Sequence, residues 1–86
     1  MATALREVTT IRQFRRLTSR SGGLIVITDG PYPPRVHTTD CSWLRERYFE
    51  MKVIRNRCRN GRYFWVPNKR LARSQIGAEP CEKCHP

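Results

Sequence analysis

The sequence contains few acidic residues and no long apolar run. Seven of its 86 residues are Asp or Glu, against seventeen Lys and Arg. The aliphatic run at residues 24–27 is far too short to cross a bilayer. Arginines interrupt residues 2–17, so no secretory signal is expected there, although the Arg-, Thr- and Ser-rich composition leaves a mitochondrial presequence open. We therefore expect a cytoplasmic protein without membrane contact.

The chain also lacks the residue sets of common active sites. It has no evident paired carboxylates, no Ser/His set and no HNH-type cluster. Only 38% of its residues are hydrophobic, and so short a chain buries a modest fraction of its surface. A bound metal ion would compensate for a small core. We expect a single domain over residues 1–86 that is not an enzyme.

The basic charge of the chain is concentrated in its centre. The net charge is +10, with fourteen arginines against three lysines. Residues 35–73 carry eleven basic and three acidic side chains, a net of +8. The planar guanidinium of Arg matches phosphate better than the ammonium of Lys. This bias predicts a nucleic-acid partner, the alternative being a merely solvated basic surface.

Two short-spaced pairs of potential metal ligands stand on either side of this basic region. The first is His37 and Cys41, with three residues between them, and the second is Cys81 and Cys84, with two. One imidazole and three thiolates form a complete tetrahedral set of the kind that closes structural zinc sites. The spacing therefore predicts one Zn²⁺ held by these four residues.

Other interpretations of these residues stay open. Four cysteines could form two disulfides in an exported protein, although a reducing cytoplasm favours metal binding. His85 could replace His37 as the fourth ligand, and it completes a CxxCH string of the kind that attaches haem. Cys58 could also be a ligand, but we expect it to be a buried, inert thiol.

Local patterns predict a small α+β fold, in which zinc stabilises a β-hairpin or short sheet with two or three short helices. Residues 1–23 contain a helix with Ile11, Phe14 and Leu17 on one face, capped by Thr9-Thr10. Residues 24–34 form a buried strand over 24–28 and an extended connector. Residues 35–86 form the metal-binding module, whose last helix, over 69–75 between its cap Asn68 and Gly77, precedes the Cys81 and Cys84 pair.

A hairpin is predicted between Phe49 and Pro67 because Asn60-Gly61 favours a two-residue type I′ turn. This register pairs Cys58 with Tyr63. Side-chain alternation then places four arginines on one face, which the last helix extends. The resulting candidate nucleic-acid-binding residues are Arg55, Arg57, Arg59, Arg62, Lys69, Arg70 and Arg73. Trp43 and Trp65 are expected in the core, with base stacking as the alternative.

These motifs resemble the N-terminal metal-binding domain of Ada DNA-repair proteins. That layout has a ligand, three residues and a Cys, then strands, a helix ending in Gly, and Pro-Cys-x-x-Cys-x-Pro. Here it corresponds to His37-x₃-Cys41 and to residues 80–86. The resemblance covers about residues 35–86 and implies the scaffold and the metal. His37 replaces the Cys that accepts a methyl group in the family, so methyl transfer is not implied.

Two functions of different classes follow as hypotheses. The first is a non-catalytic zinc-binding module that binds nucleic acid, with DNA favoured over RNA, through its Arg-rich surface. The second is a small regulatory or phage-type adaptor or inhibitor that docks on an acidic protein partner. Charge alone does not separate the two.

Overall fold

A computed structural model describes residues 5–19 and 22–84. Its strands are β1 (Arg6–Val8), β2 (Leu24–Asp29), β3 (Tyr32–Thr38), β4 (Tyr63–Val66) and β5 (Glu79–Pro80). Its helices are α1 (Ile11–Thr18), α2 (Glu46–Phe49), which continues as a π-helix over Glu50–Arg55, and α3 (Lys69–Ile76). Within these residues the strands form one mixed sheet, and the predicted small α+β fold is confirmed.

The sheet is the middle layer of the fold, in the strand order β1-β4-β2-β3-β5. Neighbouring strands are antiparallel except β3 and β5, which are parallel. Because side chains alternate along a strand, β2 sends Ile25 to one face and Val26 to the other. The core on the Ile25 face contains residues of α1, α2 and the π-helix, while the core on the Val26 face contains residues of α3.

Three aromatic rings form the centre of the first core. The ring of Phe14 in α1 stacks on that of Phe49 in α2 with 4.7 Å between centroids. Tyr63 of β4 meets the Phe49 ring edge-on at 5.0 Å. These contacts fix α2 against the sheet and so set the direction in which the chain leaves the first metal-ligand pair.

Both predicted helices are present, and so is the predicted strand at residues 24–28. The cap of α1 is Thr10, whose hydroxyl accepts from the Gln13 amide while the Gln13 side chain accepts from the Thr10 amide. α3 begins after Asn68, whose side chain accepts from the Leu71 amide, and it ends before Gly77. These local signals were sufficient to predict both helices because the hydrogen bonds of each cap are made between residues a few positions apart.

The predicted hairpin between Phe49 and Pro67 is wrong. Residues 46–55 are helical, and β4 pairs with β1 and β2 instead of with a strand at 54–59. Phe49 and Val53 lie four residues apart and are both buried in the first core, which a helix allows. Burial of these two side chains overrides the turn signal at Asn60-Gly61.

Gly61 lies at a point where two segments of backbone come very close together. A side chain at this position would overlap the carbonyl oxygen of Thr28 in β2. The Gly30 amide donates to the Asn60 carbonyl at 2.6 Å, and the Thr28 amide donates to the Arg62 carbonyl at 2.9 Å. The loop of residues 56–62 is therefore fastened to the end of β2.

Two further expectations are corrected. The extended connector at residues 29–34 is a hairpin, since β2 turns at Gly30 into β3, which begins at Tyr32. The N-terminal segment also contains a strand, β1, which pairs with β4 at the sheet edge. No helix in the described part of the chain combines the length and apolar character required to cross a membrane.

Candidate metal centre

Four side chains converge at one end of β3. His37 is in β3, Cys41 is in the turn that follows, and Cys81 and Cys84 follow β5. One ligand atom from each of these residues lies within 4.8 Å of the others, and His37, Cys41 and Cys81 are buried. This cluster could hold a metal ion, and it contains the four residues that the spacing predicts.

The pairing of β3 with β5 brings the two halves of the cluster together. Val36 pairs with Pro80, and the Cys81 amide donates to the Val36 carbonyl at 2.9 Å. The Arg35 guanidinium donates to the Pro80 carbonyl at 3.3 Å. The segment after α3 is thus fixed beside β3. This pairing brings Cys81 close to His37 and Cys41, although thirty-nine residues lie between Cys41 and Cys81 in the sequence.

Distances between the ligand atoms are short enough for shared coordination. Cys41 Sγ lies 3.7 Å from His37 Nδ1 and 4.0 Å from Cys81 Sγ. The turn that holds Cys41 is closed by its own amide, which donates to the Thr38 carbonyl at 3.1 Å. None of the four cysteines forms a disulfide, so the two-disulfide alternative is not the observed state.

Backbone amides point at two of the sulfur atoms. The Thr38 amide lies 3.4 Å from Cys84 Sγ, and the Lys83 amide lies 3.4 Å from Cys81 Sγ. Such donors favour the thiolate over the thiol. They are also a usual accompaniment of metal-bound thiolates in a CxxC turn.

The surroundings of the cluster shift the pKa values of its members in different directions. Burial, with a smaller effect of the Arg35 charge, lowers the pKa of His37 to about 4, so its imidazole is neutral at neutral pH. Burial raises the pKa of the Cys41 thiol to about 11. At Cys81 burial opposes ionisation, but amide donors from Cys84 and Lys83 leave the pKa lowered. A bound cation would offset the cost of gathering thiolates here.

The structure describes one of the two residues, Cys58 and His85, that were alternative candidates for metal ligands. Cys58 is not part of the cluster; it packs, half-buried, against the first core. Its predicted pairing with Tyr63 is wrong, because Cys58 follows the π-helix in a left-handed turn with φ of 60°. His85 lies outside the described residues.

The predicted nucleic-acid-binding residues do not form one strand face. Arg55 ends the π-helix and contacts Glu50 at 3.7 Å, while Arg62 contacts Glu7 at 3.2 Å. Arg57 and Arg59 are exposed in the loop before β4. Lys69, Arg70 and Arg73 belong to α3, which packs on the opposite face of the sheet.

Sequence reasoning missed a group of aromatic and basic residues just after Cys41. Trp43 was expected in the core but is 53% exposed, whereas Trp65 packs against the first core. Arg45 and Arg47 are also exposed, and Tyr48 is partly so. Within residues 43–48, Trp43 and Tyr48 stand on either side of Arg45 and Arg47, and this clustering could have identified the group.

A groove of about 520 Å³, here called the Trp43 groove, opens beside the metal cluster. Its lining includes Trp43, Tyr48, Met51, Asn56, Asn60 and Tyr63. His37 and Cys81 form part of the same wall. The groove therefore connects the candidate metal centre with the exposed aromatic residues.

Comparisons with family models, curated proteins and solved structures found no match to the chain.

Proposed function

We propose that the protein is a non-catalytic, zinc-stabilised module that binds nucleic acid, with DNA the favoured partner. The observation that carries the proposal is the buried cluster of His37, Cys41, Cys81 and Cys84 beside exposed arginines. The cluster supplies four donors, which fill a tetrahedral shell and leave no position for a catalytic water.

Zinc fits this donor set in both chemistry and distance. Bond lengths of about 2.3 Å to sulfur and about 2.0 Å to nitrogen place ligand atoms of a tetrahedral site roughly 3.5–3.8 Å apart. The corresponding separations here are 3.7 Å from Cys41 Sγ to His37 Nδ1 and 4.0 Å from Cys41 Sγ to Cys81 Sγ. When bound, the ion would supply a crosslink between β3 and the segment after β5. A reducing compartment such as the cytoplasm would keep these thiols available for it.

Residues 35–86 are further proposed to be an Ada-like module. The support is the position of His37 and Cys41 at the end of a strand, and of Cys81 and Cys84 after a helix that ends at Gly77. One difference from the expected layout is that α2 with its π-helical continuation and one strand, β4, precede α3 where the layout has only strands. Because an imidazole replaces the methyl-accepting thiolate, methyl transfer is not part of the proposal.

Nucleic-acid binding is supported by charge that the fold leaves uncompensated. The net charge is +10, and Arg57 and Arg59 form no ion pair with any carboxylate among residues 5–19 and 22–84. They extend from the loop whose Asn56 and Asn60 line the Trp43 groove. A phosphate backbone that crossed this loop would contact both guanidinium groups, and because both are exposed the desolvation cost would be small.

Binding measured as a function of salt tests this proposal. Each phosphate contact adds about 0.7 to 0.9 to the slope of log affinity against log salt. The double variant Arg57→Ala with Arg59→Ala should flatten that slope by roughly two contacts and weaken binding equally across sequences. Arg15→Ala is the matched control, because Glu46 already neutralises Arg15 at 2.6 Å. Absence of nucleic-acid binding at low salt would contradict the proposal and favour the adaptor on an acidic protein.

A further inference from the structure

Trp43 is an exposed aromatic side chain on a firmly held turn. It follows Cys41, and the turn is closed by the Leu44 amide, which donates to the Cys41 carbonyl at 2.9 Å. Leu44 itself packs against the first core. The position of the indole is therefore set by a core contact on one side and a metal-ligand residue on the other. Such a held ring loses little conformational entropy when it binds a partner.

Cations accompany the exposed rings. Lys83 Nζ lies 5.5 Å from the centre of the Trp43 ring, and the Arg47 guanidinium lies 5.1 Å from the centre of the Tyr48 ring. Arg45 lines the same small cleft as Trp43, Arg47 and Lys83. The rings and the cations thus form one surface that is apolar in its centre and positive at its edge.

Among the described residues, no carboxylate compensates the charge of these three cations. Arg15, Arg35 and Lys52 contact Glu46, Glu79 and Asp29 respectively. In contrast, Arg45, Arg47 and Lys83 make no ion pair with any acidic residue in the part of the chain that the structure describes. Their charge is free to meet a polyanion.

We propose that the Trp43 groove, together with the adjoining cleft that shares Trp43 and Tyr48, binds single-stranded DNA, with bases stacked on these two rings and phosphates held by Arg45, Arg47 and Lys83 of the cleft. The inference rests on the proposed nucleic-acid binding and names the form of the ligand. Stacking needs an open base face, which a single strand offers and a duplex hides between its base pairs. Arg57 and Arg59 are exposed on the loop whose Asn56 and Asn60 line the groove.

The combination of exposed aromatic rings and positive charge indicates which ligand fits this surface. An acidic peptide would satisfy the cations but would leave the exposed indole without a planar partner. A duplex would satisfy the cations through its backbone alone. Only an unpaired nucleotide strand supplies an anion and a planar apolar face at each repeat, as this surface requires.

Fluorescence anisotropy with a labelled oligothymidine and with a duplex of equal length tests the inference on the whole chain. Trp43→Ala should weaken single-strand binding roughly tenfold, and Trp43→Phe should restore most of the loss, because a phenyl ring also stacks. Tyr32→Ala is the control: Tyr32 is 70% exposed at the start of β3 and does not line the groove, so affinity should be unchanged. Metal content of each variant is measured in parallel to verify that the centre is intact.

A second readout is the intrinsic fluorescence of the two tryptophans. Single-stranded DNA should quench the emission of exposed Trp43, and the quenching should disappear in Trp43→Phe, where only Trp65 remains. Equal affinity for single strand and duplex, with no effect of Trp43→Ala, would overturn this inference while leaving the proposed function intact. Tighter binding of an RNA of the same sequence would overturn the choice of DNA. Failure to bind any of these probes at low salt would overturn the proposed function itself.

Discussion

Gly23 is a position where a single added methyl group should strongly destabilise the fold. It has a φ of +80°, which side chains rarely adopt, and an added Cβ would overlap the indole ring of Trp65. We expect Gly23→Ala to lower the free energy of unfolding by about 2 to 4 kcal/mol. Gly22→Ala is the matched control, because a Cβ there meets nothing within 4 Å. Equal urea midpoints for the two variants would contradict this account of the turn before β2.

Tyr63 should titrate far above the range of an ordinary phenol. Burial, aided by the negative charge of Asp29, raises its pKa to about 12. The folded state thus favours the neutral phenol, and this contribution to stability is complete below pH 10 and declines between pH 10 and about 12. Absorbance at 295 nm should show Tyr63 ionising near pH 12, about two pH units above a free tyrosine. Tyr63→Phe should remove this late transition; a late transition that survives the substitution would belong to another residue.

The helix that follows the first ligand pair can be distinguished from the hairpin that local signals predict. In the structure Val53 is 6% exposed and faces the first core, while Ile54 is 44% exposed. In the predicted hairpin Ile54 would face the core. We expect Val53→Asp to cost more than about 3 kcal/mol of unfolding free energy and Ile54→Asp less than about 0.5 kcal/mol.

Thermal melting of these two variants is a sufficient measurement, since both add the same charge one residue apart. If Ile54→Asp were the more damaging substitution, residues 50–55 would be in the strand register and not in the π-helix.

The parts of the fold that could be predicted from sequence are those with local causes. Asn68 and Gly77 define α3 because a cap and a helix end are satisfied by neighbours in the chain. The four candidate ligands could be found because coordination chemistry restricts both residue type and spacing. The segment after Phe49 could not be predicted from turn propensity, because its conformation depends on distant partners. Lys52 contacts Asp29 of β2 at 2.7 Å, and Gly61 lies against Thr28.

The residues proposed to bind nucleic acid also divide into those with local causes and those that depend on distant contacts. Arg57 and Arg59 keep the exposure that the sequence predicts, but on a loop. The rings and cations around Trp43 come together because the Cys41 turn, α2 and the segment after β5 meet in space. No local pattern contains that contact between residues 43–48 and Lys83, since at least thirty-four residues lie between them in the sequence.

We expect the stability of the whole molecule to depend on the connection between the two pairs of candidate metal ligands. Each face of the sheet carries a small core, and only 38% of the residues are hydrophobic. The strand β5 has two residues, so its pairing with β3 is a weak connection by itself. A metal ion held by His37, Cys41, Cys81 and Cys84 would strengthen that connection. Structural zinc in small domains contributes on the order of 10–16 kcal/mol of apparent binding free energy.

Native mass spectrometry of protein purified without chelator, combined with thermal melting, tests the central claim most directly. The account predicts one zinc ion per chain in the wild type and in Cys58→Ala, and none in Cys81→Ser, which should melt well below both. Chelation should unfold the wild type to the same extent. A wild-type protein without metal, or a Cys81→Ser variant with unchanged melting, would contradict the account.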